Sequence, residues 1–173
     1  YVHWGNPSHY TRAIAIIDKQ RIGSFVAEFR SLQGKDKKSG VYEVGYIRPD
    51  QLRLRAKVAN SDRTYWIMKD SLFAVDHKDR EWLLTASKPV GSALQRMSAI
   101  VPVDEPVRIL VDPGVGKSFL AAFREIRTWT RSGNLWSAKD GRGKFTIGFD
   151  GKGRFSSFRV DSPAGWLAWS YRY

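Results

Sequence analysis

The fold is decided by residues 41–85, which read VYEVGYIRPDQLRLRAKVANSDRTYWIMKDSLFAVDHKDREWLLT. Short apolar runs follow one another here with turn residues between them. Residues 51–58 alternate apolar and basic side chains, the period-two pattern of a strand with one buried face. A parallel crossover needs about a dozen residues, so breaks as short as 60–63 and 77–80 predict antiparallel neighbours. The stretch therefore predicts a continuous antiparallel meander.

The same signals extend the sheet on both sides of this stretch. Residues 25–29 alternate as a first strand and return through a polar hairpin loop at 34–40. After residue 124, strand-like runs are separated by Ser-Gly-Asn and Asp-Gly turns at 132–134, 140–143 and 150–153, which is hairpin chemistry. The total is about ten antiparallel strands.

Helices are predicted in the segments that interrupt this pattern. Ser8 is a suitable N-cap for a helix that ends before Gly23, and residues 90–101 carry apolar side chains on one side of a second helix. A third, short helix is predicted at 119–123. The fold class predicted from the residues is therefore α+β, as a single domain over 1–173, with two or three helices packed as a lid on the sheet.

Charge and composition restrict the classes of partner. The chain has 29 Lys and Arg against 17 Asp and Glu, a net charge of +12, which favours anionic partners of any kind. Because the basic residues are spread over many turns and outward strand positions, nucleic acid is not the expected partner. The absence of cysteine excludes disulfides and thiolate metal sites.

Catalytic motifs are incomplete. Residues 107–118 resemble a strand followed by a phosphate-binding loop, but Val111 stands where the loop needs its opening glycine. His3, His9 and His77 lack the spacing of metal ligands, and no serine lies in a nucleophile elbow. The sequence predicts a protein that is not an enzyme and needs no metal or cofactor.

Aromatic residues suggest a binding cavity. Seven Trp, nine Phe and seven Tyr exceed what a plain core requires, and a curved sheet lined with large apolar groups suits an acyl chain. The predicted cavity residues are Ile14, Ile17, Leu52, Leu54, Trp66, Met68, Phe73, Trp82, Leu94 and Met97. The alternative is a module that binds an anionic polymer or an acidic protein through Arg53, Arg55 and Lys57.

Five short motifs, in order, resemble a known family. They are SFVAEF at 24–29, GYIRPDQL at 45–52, KDSLFAVD at 69–76, FTIGF at 145–149 and GRFSSF at 153–158. In order and spacing they are similar to the periplasmic lipoprotein carrier LolA and its outer-membrane lipoprotein-sorting relatives.

This resemblance implies a fold, a location and a cargo. The fold would be an incomplete antiparallel β-barrel closed by helices, and the protein a periplasmic carrier or chaperone in lipoprotein transport. Its partner would be a lipid or a lipidated protein, and an acidic envelope protein or anionic lipid headgroups are further candidates. Arg48 matches the arginine that holds the lid shut, a role suited to a guanidinium with five donors.

Overall fold

The computed structural model describes residues 2–4, 22–47, 51–68, 71–86 and 128–173. The described residues form twelve strands: β1 Val2–Trp4, β2 Ile22–Gln33, β3 Asp36–Ile47, β4 Gln51–Val58, β5 Ser61–Met68, β6 Ser71–Asp76, β7 Glu81–Ala86, β8 Thr128–Ser132, β9 Leu135–Asp140, β10 Gly143–Phe149, β11 Phe155–Ser162 and β12 Gly165–Arg172.

All twelve strands belong to one antiparallel sheet. Their order is β1-β8-β9-β10-β11-β12-β2-β3-β4-β5-β6-β7, so two meanders, β2 to β7 and β8 to β12, lie side by side. The meanders are joined where β12 pairs with β2, with Trp169 opposite Phe29. The antiparallel meander predicted for 41–85 is therefore confirmed.

The predicted fold class is wrong. In place of an α+β incomplete barrel of about ten strands with two or three helices as a lid, the described part of the chain is all β and forms one open sheet. Short hairpin connections add each strand beside the previous one, and within the described ranges the edge strands β1 and β7 do not pair with each other. Ile22, assigned to the first helix, begins β2 instead. The remainder of that helix and the helices at 90–101 and 119–123 lie outside the described residues.

One face of the sheet carries the core. Cross-strand register puts Leu54 opposite Val44, and Leu52 opposite both Tyr46 and Ile67, so their side chains share one face. We call it the core face and the opposite one the outer face. Its twenty buried apolar residues are Phe25, Ala27, Phe29, Tyr42, Val44, Tyr46, Leu52, Leu54, Ile67, Leu72, Trp129, Trp136, Ala138, Phe145, Ile147, Phe149, Phe155, Phe158, Trp169 and Tyr171.

Two glycine turns meet at the junction of the two meanders. Gly34, in the turn between β2 and β3, donates its N–H to the carbonyl of Ala164 at 3.2 Å. Gly165, which follows Ala164, has a φ of +145°, and a Cβ there would collide with the Leu32 carbonyl. Gly34 also has a positive φ, +59°, but a Cβ there would meet nothing within 4 Å. Substituting each glycine in turn therefore distinguishes the cost of backbone strain from the cost of a steric collision.

We expect Gly165→Ala to lower the free energy of unfolding by about 3 kcal/mol, because the left-handed conformation and the collision with Leu32 both oppose a side chain. Gly34→Ala, the matched control, should cost about 1 kcal/mol from conformation alone. Denaturant unfolding of both variants measures the difference. Equal losses would contradict the register assigned to β12 against β2.

Candidate functional site

The structure places the predicted cavity residues in three groups. Leu52 and Leu54 lie on the core face and are 4% and 0% exposed. Trp66, Met68, Phe73 and Trp82 lie on the outer face. Ile14, Ile17, Leu94 and Met97, and the predicted lid residue Arg48, lie outside the described residues. The six described residues therefore do not line one cavity wall.

Register explains this separation. The two-residue turn at 59–60 pairs Leu52 with Ile67, so Trp66, one position earlier on β5, must point to the opposite face. Trp66 lies opposite Arg53 on one side and Phe73 on the other. The prediction followed the size of the side chains, whereas counting positions across the turn identifies Ile67 and Tyr65 as the neighbours of Leu52 and Leu54.

A three-ring cluster on the core face contains a polar atom that has no hydrogen-bond partner among the described residues. The Trp169 ring stacks on Phe29 with centroids 5.0 Å apart and on Tyr42 with centroids 6.1 Å apart. Trp169 is 3% exposed, and its Nε1 finds no hydrogen-bond acceptor in the described part of the chain. A buried N–H without an acceptor costs about 1–3 kcal/mol. The Trp169 cluster is thus a buried apolar site with one N–H donor that has no acceptor among the described residues. It depends on the β12–β2 pairing and has no local sequence signal.

The outer face carries an exposed apolar patch on its last three strands. Ring centroids lie 5.4 Å apart between Trp66 and Phe73, and 6.2 Å apart between Phe73 and Trp82. Met68 and Leu84 flank the rings on the same face. Met68, Leu84 and Trp82 are 55%, 59% and 70% exposed. We call these five residues the outer patch.

The basic residues of β4 border the outer patch, but two of them are neutralised. Arg55 forms a bidentate pair with Asp62, Nε to Oδ1 at 2.9 Å and Nη2 to Oδ2 at 2.8 Å. Lys57 Nζ lies 3.2 Å from an oxygen of Glu43. Arg53 has no carboxylate partner among the described residues. Of the three cations predicted to bind an anionic partner, one is left without an acid.

A shallow polar depression lies at the turn end of β4 to β6. It has a volume of about 420 Å³ and is lined by Lys57, Ala59, Asn60, Ser61, Asp62, His77 and Lys78. His77 Nε2 lies 2.7 Å from the hydroxyl of Thr64, a side chain that is 1% exposed. Six of the seven lining residues have polar or charged side chains, and the depression is open to solvent, so it suits water or small polar solutes and not an acyl chain.

Metal chemistry finds no support in the described ranges. No group of three His, Cys, Asp or Glu side chains there is placed to hold a metal ion. Those ranges also contain no helix with the length and apolar character to cross a membrane. No protein-family model and no curated protein sequence matches this chain. Function must therefore be argued from the two faces of the sheet.

The ion pairs predict how stability responds to acid. The hydrogen bond from Arg55 lowers the pKa of Asp62 below its ordinary value, and the hydrogen bond from Arg63 lowers the pKa of Asp76 in the same way. A depressed folded-state pKa means that the charged carboxylate stabilises the fold. This stability is complete above the unfolded-state pKa and disappears as pH falls through the lower folded-state value.

We expect Asp62→Asn to lower the free energy of unfolding at neutral pH, and the difference from the wild type should shrink as pH falls through the lowered folded-state pKa of Asp62. Unfolding measured from neutral pH to about pH 2 should show the two curves converging. Asp36→Asn is the control, because Asp36, the first residue of β3, is exposed and forms no ion pair in the described part of the chain. Curves that stay parallel throughout would contradict the role assigned to the Arg55 pair.

Proposed function

We propose that this protein is a non-enzymatic binding protein of the cell envelope that holds an acyl chain, carried by a lipid or a lipidated protein, against its core face. The observation that carries the proposal is the Trp169 cluster, a buried apolar site whose indole N–H has no acceptor in the described part of the chain. An acylated molecule offers both complements, methylenes for the rings and an ester or carboxyl oxygen for the N–H.

The extent of the core face supports the same ligand class. Its twenty apolar residues continue across both meanders, so an extended chain would meet apolar side chains over several strands. Burying about ten methylenes would contribute roughly 8 kcal/mol before the costs of association, which corresponds to micromolar affinity or somewhat tighter. The likeness of five ordered motifs to the LolA family supports a periplasmic setting and a lipoprotein or lipid cargo.

A fluorescent fatty acid and the Trp169→Phe variant test this proposal. Phenylalanine keeps the ring stack and removes only the N–H donor, so affinity should fall about tenfold if an acyl oxygen accepts that hydrogen bond. The control is Trp166→Phe, on the outer face of the same strand, where the Arg159 guanidinium lies 5.1 Å from the ring centroid.

Trp166→Phe should leave fatty-acid affinity unchanged. Mass spectrometry of an organic extract of the purified protein should also detect bound lipid. A protein that carries no lipid and does not bind the probe would refute the proposal, and equal effects of the two substitutions would refute the role of Trp169.

The second candidate is a module for an anionic polymer or an acidic envelope protein. It is favoured by the net charge of +12 and by Arg53, which has no acid partner in the described part of the chain. It ranks second because Arg55 and Lys57 already pair with Asp62 and Glu43.

Salt separates the two candidates. Binding of an anionic polymer such as heparin should weaken steeply as salt rises, because it releases counterions. Fatty-acid binding at the core face should change little over the same range. A titration at two ionic strengths gives both results, and fatty-acid binding that falls as steeply as heparin binding would assign the ligand to the basic surface.

A further inference from the structure

The outer patch lies on the face opposite the proposed acyl site. Trp66, Phe73 and Leu84 are directly opposite one another on β5, β6 and β7, with Met68 and Trp82 in the neighbouring rows. Ring contacts hold the three aromatic side chains together. The patch is therefore continuous across three strands and ends at the edge of the sheet.

Strand β7 has almost none of the features that protect an edge strand. Natural edges are usually short or carry lysine, proline or a bulge. Here Trp82 and Leu84 on the outer face are 70% and 59% exposed, Leu83 on the opposite face is 57% exposed, and Glu81 is the one charged residue of the strand. Contiguous exposed apolar surface of this kind marks an interaction site. The outer patch thus requires an occupant of its own.

The positive charges at the border of the outer patch indicate what kind of partner binds there. Arg53 lies directly opposite Trp66 and has no acid partner in the described residues, and Lys78 and Arg80 lie in the turn before β7 together with Asp79. A second copy of the chain would bring like border charges and two net charges of +12 together. An anionic lipid surface would meet the same cations with phosphates, and its hydrocarbon boundary would receive the apolar side chains.

We infer that the outer patch docks the protein on an anionic phospholipid bilayer. Trp82 and Leu84 enter the boundary between headgroups and acyl chains, where tryptophan is favoured, and Arg53 meets lipid phosphates. This docking site lies on the opposite face from the proposed acyl site, so the two proposals can be tested independently. Trp169→Phe should leave vesicle binding unchanged.

Sedimentation with vesicles tests the apolar part of this site. We expect binding to phosphatidylcholine vesicles that contain phosphatidylglycerol, and about a tenfold loss in Leu84→Ser, since each 1.4 kcal/mol is a factor of ten. Leu135→Ser is the matched control, because Leu135 is also an exposed outer-face leucine, 48% against 59%, but lies on β9 in the other meander. It should bind like the wild type.

The basic part has its own matched pair. Arg53→Gln should weaken binding to phosphatidylglycerol vesicles about fivefold, the effect of roughly 1 kcal/mol per cation at such a surface, and should not change binding to phosphatidylcholine alone. Lys139→Gln, an exposed cation on β9, should have no comparable effect. Brominated lipids should quench tryptophan fluorescence in the wild type and less in Trp82→Phe.

Three results would overturn the inference. The first is a wild-type protein that binds neither kind of vesicle. The second is equal sensitivity to Leu84→Ser and Leu135→Ser. The third is self-association in solution that Leu84→Ser abolishes, since the patch would then belong to an interface between copies of this chain.

Discussion

The register of β4 against β5 is the constraint on which the two faces of the sheet depend. It is set by a two-residue turn in which Ala59 has a φ of +51°. A non-glycine residue in this conformation costs about 1–2 kcal/mol, so the surrounding pairing must hold it there. A slip of one residue would turn Leu52 and Leu54 outward and break the apolar continuity of the core face. The turn therefore decides which side of the sheet is the core.

The second constraint is the strand pairing that joins the two meanders, and it connects residues that are distant in the chain. Strand β12 pairs with β2, whose partner residues, such as Phe29 and Trp169, lie far apart in the chain. Bringing β12 to β2 costs a large loop-closure entropy before any contact between them forms. Folding of the whole sheet should therefore be slower than folding of either meander. The Trp169 cluster sits on this junction, and Arg172 adds an ion pair to Glu28 on the outer face beside it. The same long-range contact thus completes both the core and the proposed acyl site.

The sequence predicts a structural feature of this protein only where the residues that form the feature lie close together in the chain. The meander at 41–85 and the hairpins after residue 124 were predictable because alternation and turn chemistry are local. The face of Trp66 was also predictable by counting across the turn at 59–60, but the prediction relied on side-chain size. The pairing of β12 with β2, and the Trp169 N–H that finds no acceptor within the described ranges, have no local signature, since both arise from strands distant in sequence.

The outer face changes its chemistry at the boundary between β4 and β5. Toward β3, diagonal ion pairs neutralise the surface, with Lys57 against Glu43, while Arg55 pairs with Asp62 at the turn end. Exposed pairs of this kind contribute less than about 1 kcal/mol each, but they neutralise Arg55 and Lys57 in that region. Toward β7 the outer face of the described strands has no further ion pair, and the outer patch begins, with Arg53 at the border. Packing of the core does not require apolar side chains on the opposite face, so their concentration on β5 to β7 is best explained by an interaction.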